Sequence, residues 1–431
     1  MAMLTEVVSE PHSCSWQDRA ARVLTAGGFG NFDPGVVIKR GSAARVWDTD
    51  DREYVDFLIG SGPMLVGHAH PEVVDVVQKQ VADGTTFFAS NPHGIALAEE
   101  ICSAVACAEE VRYGATGTEA ILYAVRVARA FTGRPKILKF EGGYHGTADE
   151  AQMSLAPKRL ANFPQAVPDS AGISEHVRDH VLVAPFNDAD AVIKLLDEHD
   201  GEIAAVLAEP LQRLIPPTPG FLETLRAETK RRGVLLIFDE IVTGFRLAYG
   251  GAQEAYGVTP DLCTLGKTVG GGFPLSAIAG RADVMALFDE AVSGDQHVSH
   301  GGTLSGNPVA SVAGLKTLQI LRREGAYEKI ENTGRQIMSA IANAFSKRSI
   351  PVQVVGVPVM FDAVFTSEPV RDYRAGFHAN RDHAKIFNRV LRDHGILKPP
   401  SKFYISLAHT EDDVAQVTTA IDAAAEAIAN A

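Results

Sequence analysis

Lys267 stands in the run Thr264-Leu-Gly-Lys-Thr-Val-Gly-Gly-Gly-Phe-Pro274, 28 residues after Asp239, which lies at the end of the apolar run Val234-Leu-Leu-Ile-Phe-Asp-Glu240. A primary amine among glycines, where backbone can approach a ligand closely, attacks an aldehyde once partial burial has lowered its pKa. A carboxylate at the end of a buried strand can keep a heteroaromatic ring nitrogen protonated, which makes that ring a sink for electrons. Taken singly, most lysines are solvated and most strand-end aspartates cap or pair. Taken together, the two point to pyridoxal phosphate, with Lys267 as the amine and Asp239 at the ring nitrogen. Ile241, two residues beyond Asp239, is placed to press on one face of the ring.

Other residues extend the constellation. Ala115-Thr-Gly-Thr-Glu-Ala120 falls between an expected strand and an expected helix, so Thr116, Gly117 and Thr118 can converge on a phosphate at a helix N-terminus. A capping box between Thr116 and Glu119 is an equal alternative. Gly143-Tyr-His-Gly146 follows another strand, which brings Tyr144 over the cofactor and counts His145 among its contacts; ordinary packing is the alternative for both. Gly301-Gly-Thr-Leu-Ser-Gly-Asn-Pro308 precedes a long helical pattern, and Thr303 is its candidate phosphate contact, with helix capping as the alternative. The cysteines, Cys14, Cys102, Cys107 and Cys263, show no C-x-x-C pair and no histidine at ligand spacing, so neither a metal site nor a disulfide framework is expected.

These groups need a large scaffold. The chain has 431 residues, 46% of them hydrophobic, and a formal net charge of −13. It can bury a core of more than one domain, and it offers no basic field for nucleic acid or an anionic membrane. The stretch Met1 to Trp16 carries Glu6 and Glu10 without a long apolar run, and no run of about 18 apolar residues is present, so a soluble, cytoplasmic protein is expected. Strand-like runs at 111–115, 136–140, 181–185, 203–208 and 234–239 alternate with helical patterns at 117–131, 188–198 and 220–232. That alternation predicts an α/β fold with a mostly parallel sheet covered by helices on both faces, and ligands beyond the carboxyl ends of its strands. Both ends differ from the middle, with β-rich pieces at 35–39, 44–47 and 350–355 and a closing helix after Thr410. The expected division is residues 1–68 and 325–431 as a smaller α+β domain beside a cofactor domain of residues 69–324.

With these residues in hand, the chain resembles class III pyridoxal-phosphate aminotransferases of fold type I, in the glutamate-1-semialdehyde 2,1-aminomutase branch. The matching pieces are Gly67-His-Ala-His-Pro71, Thr116-Gly-Thr-Glu-Ala120, Phe140-Glu-Gly-Gly-Tyr-His-Gly146, Phe238-Asp-Glu-Ile-Val-Thr-Gly-Phe-Arg246, Leu265-Gly-Lys267, Gly302-Thr-Leu-Ser-Gly-Asn-Pro308 and Ser406-Leu-Ala-His-Thr410. The resemblance implies Lys267 as the Schiff-base lysine, Asp239 as the pyridinium partner, Tyr144 as the stacking aromatic and Thr116, Gly117 and Thr118 as phosphate contacts. It implies that Glu209 organises the site and that Gln212 sits near the cofactor's phenolic oxygen. It also implies a homodimer whose active sites are shared, with Thr303 reaching the phosphate held by the neighbouring subunit.

Departures from the resembling pattern bear on the substrate. Aminomutases carry a glutamate after a Pro-Ser-x-Phe run, whereas this chain continues Pro400-Ser-Lys-Phe-Tyr-Ile-Ser406 without it; the loop 26–32 lacks their arginine, and Arg213 stands where glycine is usual. Arg213 is the candidate for a substrate carboxylate, with a surface arginine as the alternative. The stretch 147–177 reads as a lid or a long surface loop. The resulting expectation is a ping-pong aminotransferase that moves an amino group from an amino-acid donor to a carboxylate-bearing ketone or aldehyde, such as a β-keto or cyclic keto acid. A 2,1-aminomutase and a catalytically silent binding protein of the same fold are the alternatives.

Overall fold

The computed structural model describes residues 15–431. Cys14, and nearly all of the stretch considered for a targeting signal, lie outside the described residues. The middle of the chain forms a seven-stranded sheet from Glu110–Gly114 (β1), Lys136–Phe140 (β2), Val181–Ala184 (β3), Ile203–Ala208 (β4), Leu235–Glu240 (β5), Leu262–Leu265 (β6) and Ser276–Gly280 (β7). Its spatial order is β1-β7-β6-β5-β4-β2-β3. Only β7 runs against its neighbours. Every residue of β4 and of β5 is buried, as expected for central parallel strands with both faces covered.

The two faces feed different cores. Ile137, Leu235 and Ile237 pack with Ile121, Val125 and Ala128 of the helix Gly117–Thr132, whereas Leu138, Leu236 and Phe238 belong to the larger core on the other side. This is the period-two alternation of strands read out as two layers of helix. The helix 117–132 starts at a capping box and ends on Gly133, whose φ of 67° is left-handed, the usual glycine stop.

A smaller α+β part draws on both chain ends. Glu53–Asp56 pairs in parallel with Ile396–Leu397 in a four-stranded sheet, and Phe403–Tyr404 joins Gln353–Val357 and Met360–Val364 in a second sheet. Helices Ala326–Ser346, Arg381–Asp393 and Glu411–Ala429 pack against this part, the last opening on the capping box of Thr410 and Asp413. Phe403 is fully buried, stacked on Phe361 at 5.4 Å and edge-on to Phe57 at 5.3 Å. Truncating such a ring to alanine costs about 3–5 kcal/mol, so the strand is held firmly. Its alternation sends Phe403 into the core and its neighbours Lys402 and Tyr404 the other way, toward the cavity described below.

The stretch 147–177 is irregular but not free. Lys139 Nζ donates to the carbonyls of Ala151 and Met153, Ser154 N donates to Val167 O, and Ala151, Met153, Ser154 and Ala166 are buried. These anchors tie down its first half, and none of its residues lines the cavity described below. Among the described residues no helix is long and apolar enough to cross a membrane.

Candidate functional site

A cavity of about 770 Å³ opens at the carboxyl end of the sheet, bounded by the small part through residues 58–61 and 399–404. Parallel strands deliver its chemistry. Asp239 is opposite Thr264 in the β5–β6 register, so Lys267, three residues further on, emerges beside the aspartate's strand. Lys267 follows an extended Gly266 and itself has φ 49°, a left-handed value that a side chain adopts only where its surroundings hold it. Gly62, at φ 114°, lies so close that a Cβ there would be 3.2 Å from both Lys267 Cδ and an Arg246 nitrogen.

The amine of Lys267 makes no hydrogen bond with any described residue. Burial, then the charge of Arg246, holds its pKa below the ordinary lysine value; Asp239 opposes that shift, and Arg213 adds to it. An amine so placed has an enlarged neutral fraction, the form that attacks a carbonyl.

Asp239 is 4% exposed. Its Oδ1 accepts from Ile241 N at 3.1 Å and Thr264 Oγ1 at 3.3 Å, and its Oδ2 accepts from His145 Nδ1 at 2.8 Å. A carboxylate can only accept in that last bond when ionised, which assigns the proton to Nδ1. His145 therefore supports the carboxylate, and its Nε2 is buried without a partner. Ile241 sits against Gly117 and Gly266, where a Cβ would come within 3.2 Å and 3.0 Å of it.

The helix that starts at Gly117 points at the cavity. Thr116 Oγ1 accepts from Glu119 N, and Glu119 Oε2 accepts from Ala115 N and Thr116 N. The capping box, one of the two readings of this motif, is formed, and Thr116 does not line the cavity. Gly117 and Thr118 do line it, and neither of their N–H groups has a partner among the described residues. They are first-turn donors aimed at an anion.

Tyr144 and His145 line the same cavity, and Tyr144 N donates to Glu209 Oε2 at 3.0 Å. Gln212 does not line it: the side chain is 1% exposed and donates to Glu141 O at 2.8 Å, leaving its Oε1 unpartnered. Gln212 and Ile215 exchange both main-chain hydrogen bonds, which puts Arg213 at the tip of a two-residue turn with φ 59°. That turn sends Arg213 into the cavity, 5.3 Å from the centroid of Tyr144. Thr303 is exposed and does not line this cavity; its neighbours Gly301, Gly302 and Ser305 border a separate cleft with Phe88 and Tyr113.

Sequence reasoning passed over Arg246, Lys402 and Tyr404. Arg246 is fully buried, donates from Nε to Val242 O at 2.9 Å and to Gly62 O, and has Nη1 unpartnered; burial lowers its pKa to about 10. Its only local signal was its place at the end of the Phe238–Arg246 motif. Lys402 and Tyr404 carried none, since only a strand alternation established by distant residues turns them to the cavity.

The arrangement fits pyridoxal phosphate on its own features: unpartnered N–H donors at Gly117 and Thr118, a supported carboxylate at Asp239, an unbonded amine at Lys267, and Ile241 and Tyr144 as flat-ring neighbours. The class-III aminotransferase family model matches residues 30–424. A glutamate-1-semialdehyde 2,1-aminomutase from Geotalea daltonii is 39% identical over 90% of this chain and 91% of its own. Among solved structures, an omega-transaminase from Sphaerobacter thermophilus superposes with a TM-score of 0.89 at 35% identity, covering 95% of this chain and 96% of that one. A transaminase with PLP bound gives 0.87 at 30% identity, covering 96% and 97%.

Proposed function

This chain belongs to the class-III aminotransferases, pyridoxal-phosphate-dependent enzymes, and we propose that it transfers an amino group from an amino-acid donor to a separate carboxylate-bearing ketone or aldehyde. The observation that carries the substrate reading is the cavity wall: Arg213 enters it without a carboxylate partner among the described residues, and the segment 400–406 brings no carboxylate to it. A mutase-like site would present an acid there, by the resemblance drawn from the sequence.

When bound, pyridoxal phosphate supplies the aldehyde that carries the nitrogen and the ring that accepts electrons from the substrate carbon. In this reading Lys267 would hold the cofactor covalently and, once released, its Nζ would serve as the base that moves the proton of the amine-bearing substrate carbon. Asp239, oriented by His145, keeps the ring nitrogen protonated. Gly117 and Thr118 hold the phosphate by their N–H groups, while Ile241 and Tyr144 flank the ring. Glu209 positions Tyr144, and Gln212 acts from behind through the Glu141 carbonyl. Thr116 contributes its cap.

The same reading makes the enzyme a cytoplasmic homodimer. Thr303, exposed and remote from its own cavity, then serves the partner's phosphate; the exposure of Phe87, Phe88 and Leu304 supports a covering surface there. Light scattering that gives a monomer at working concentration would remove this part.

The decisive test supplies donor and acceptor separately and together. Amino transfer that requires both, with parallel double-reciprocal plots, is expected. An amino shift within a single δ-aldehyde substrate, at a higher kcat/KM than any two-substrate reaction, would instead make the protein a mutase.

A further inference from the structure

Two buried lysines four residues apart in the C-terminal segment behave differently. Lys398 donates to Asp362 Oδ2 at 2.9 Å, Asn388 Oδ1 at 2.7 Å and Pro399 O at 2.9 Å, which uses all three protons of its ammonium. Lys402 is 6% exposed, lines the cavity, and makes no hydrogen bond or ion pair with any described residue; its Nζ lies 5.7 Å from the centroid of the Tyr404 ring. A buried ammonium without acceptors costs several kcal/mol. The main chain of Lys402 is placed by Phe403, locked in the core, so the unsatisfied amine is held at the cavity.

The groups that act on Lys402 come from every side of the cavity. Arg213, Lys267 and Arg246 repel its charge and Glu209 attracts it, while Tyr404 stands beside it. Arg213 is the first of these, and it too has no hydrogen bond or ion pair with any described residue. Both cations line one cavity, and the repulsion of Arg213 on Lys402 outweighs the attraction of Glu209, so the pair favours a further anion.

We infer that Lys402 and Arg213 together hold one substrate carboxylate, which makes Lys402 a specificity-determining residue of this cavity. The inference rests on the aminotransferase reading above and narrows its substrate to acids whose carboxylate bridges both side chains. The guanidinium offers a planar pair of donors and the ammonium a point charge, so the pair binds a carboxylate whose negative charge relieves the repulsion between them. Burial, with Arg213 reinforcing it, lowers the Lys402 pKa to about 7. Carboxylate binding that needs the charged form therefore weakens as pH rises through neutrality.

The test titrates 3-phenylpropionate and glutarate into the cofactor-loaded dimer, following cofactor absorbance and binding heat, with wild type, Lys402→Met, Lys402→Arg and Arg213→Met. Near pH 6, Lys402→Met is expected to weaken 3-phenylpropionate by about 10- to 100-fold, the value of one charge-assisted hydrogen bond. Lys402→Arg should recover most of that loss. Wild-type affinity should fall between pH 6 and pH 8, and Lys402→Met should abolish the fall. Pyridoxal phosphate affinity should be unchanged, and Lys402→Met should melt no lower than wild type.

Unchanged carboxylate affinity in Lys402→Met overturns the inference, as does a loss of pyridoxal phosphate affinity in its place. Glutarate bound far more tightly than 3-phenylpropionate, with Lys402 and Arg213 contributing additively, would mean two separate carboxylate sites and would also overturn it. Failure of the parent reading looks different: the wild type would then take nitrogen from no amine at all, including primary amines that lack a carboxylate.

Discussion

The wall behind the cavity and the face of the cavity treat the same side chain in opposite ways. Behind it, Lys139 is wholly buried yet gives its three protons to the carbonyls of Gly143, Ala151 and Met153, at 3.3, 3.0 and 2.6 Å, and Lys398 is likewise saturated. On the face, Lys267 and Lys402 have no acceptor among the described residues. Burial lowers the pKa in both pairs, that of Lys139 to about 7, but in the first pair hydrogen bonds satisfy the protons and in the second they do not. Saturated lysines hold the frame, and unsaturated ones are free to meet a ligand. Burial alone does not separate the two classes; the acceptor count does.

The contrast breaks most visibly at Lys267. Lys267→Ala should lower kcat by on the order of 10⁴-fold or more while leaving the melting temperature nearly unchanged. Steady-state turnover and a thermal melt measure both, and substantial multiple turnover in this variant would remove the proposed role. Lys398→Met should do the reverse. It leaves Asp362 buried without its cation and should cost about 3–5 kcal/mol in urea unfolding, most of it recovered on adding Asp362→Leu. Lys139→Met strips a donor from three carbonyls and should cost about 1–3 kcal/mol; proteolysis within 147–177 should rise in parallel, because the anchors of that stretch are lost.

The last effect is a slope with pH. Lys402 has a folded pKa of about 7 against an ordinary 10.5, so between these values the unfolded chain binds the extra proton. Stability should therefore rise with pH across that window and be lowest below it. Urea midpoints for wild type minus Lys402→Met, taken from pH 7 to pH 10, should show this rise; a flat difference would mean that the amine is solvated in the folded protein.

Much of the fold was legible because it is written in local periodicity. The β4 and β5 runs are continuous apolar stretches, the helix at 117–132 has a capping box at one end and glycine at the other, and Thr410 with Asp413 marks the closing helix. The α/β class and the aminotransferase family follow from those patterns and the ordered motifs. The stretch 147–177 was less legible: its composition is that of a loop, but buried anchors from Lys139 and Val167 tie it down. Within the site, Lys267 and Asp239, paired in the sequence by residue type, reach one cavity through the register of two neighbouring strands, which the sequence did not show. Gln212 and Thr116, selected on motif alone, point elsewhere, since Gln212 is tied to the Glu141 carbonyl and Thr116 serves as a helix cap.

By itself the sequence determined the elements, the cofactor chemistry and the order in which the main site residues leave the sheet, because each depends on residues close together in the chain. Which side chains lack partners was decided only in three dimensions. Lys398 and Lys402 are neighbours with the same ionisable group, and one finds Asp362 while the other faces a cavity with Arg213. That difference arises from strands and loops brought together from residues 213, 246, 267, 362 and 402, and no local pattern encodes the distance between them.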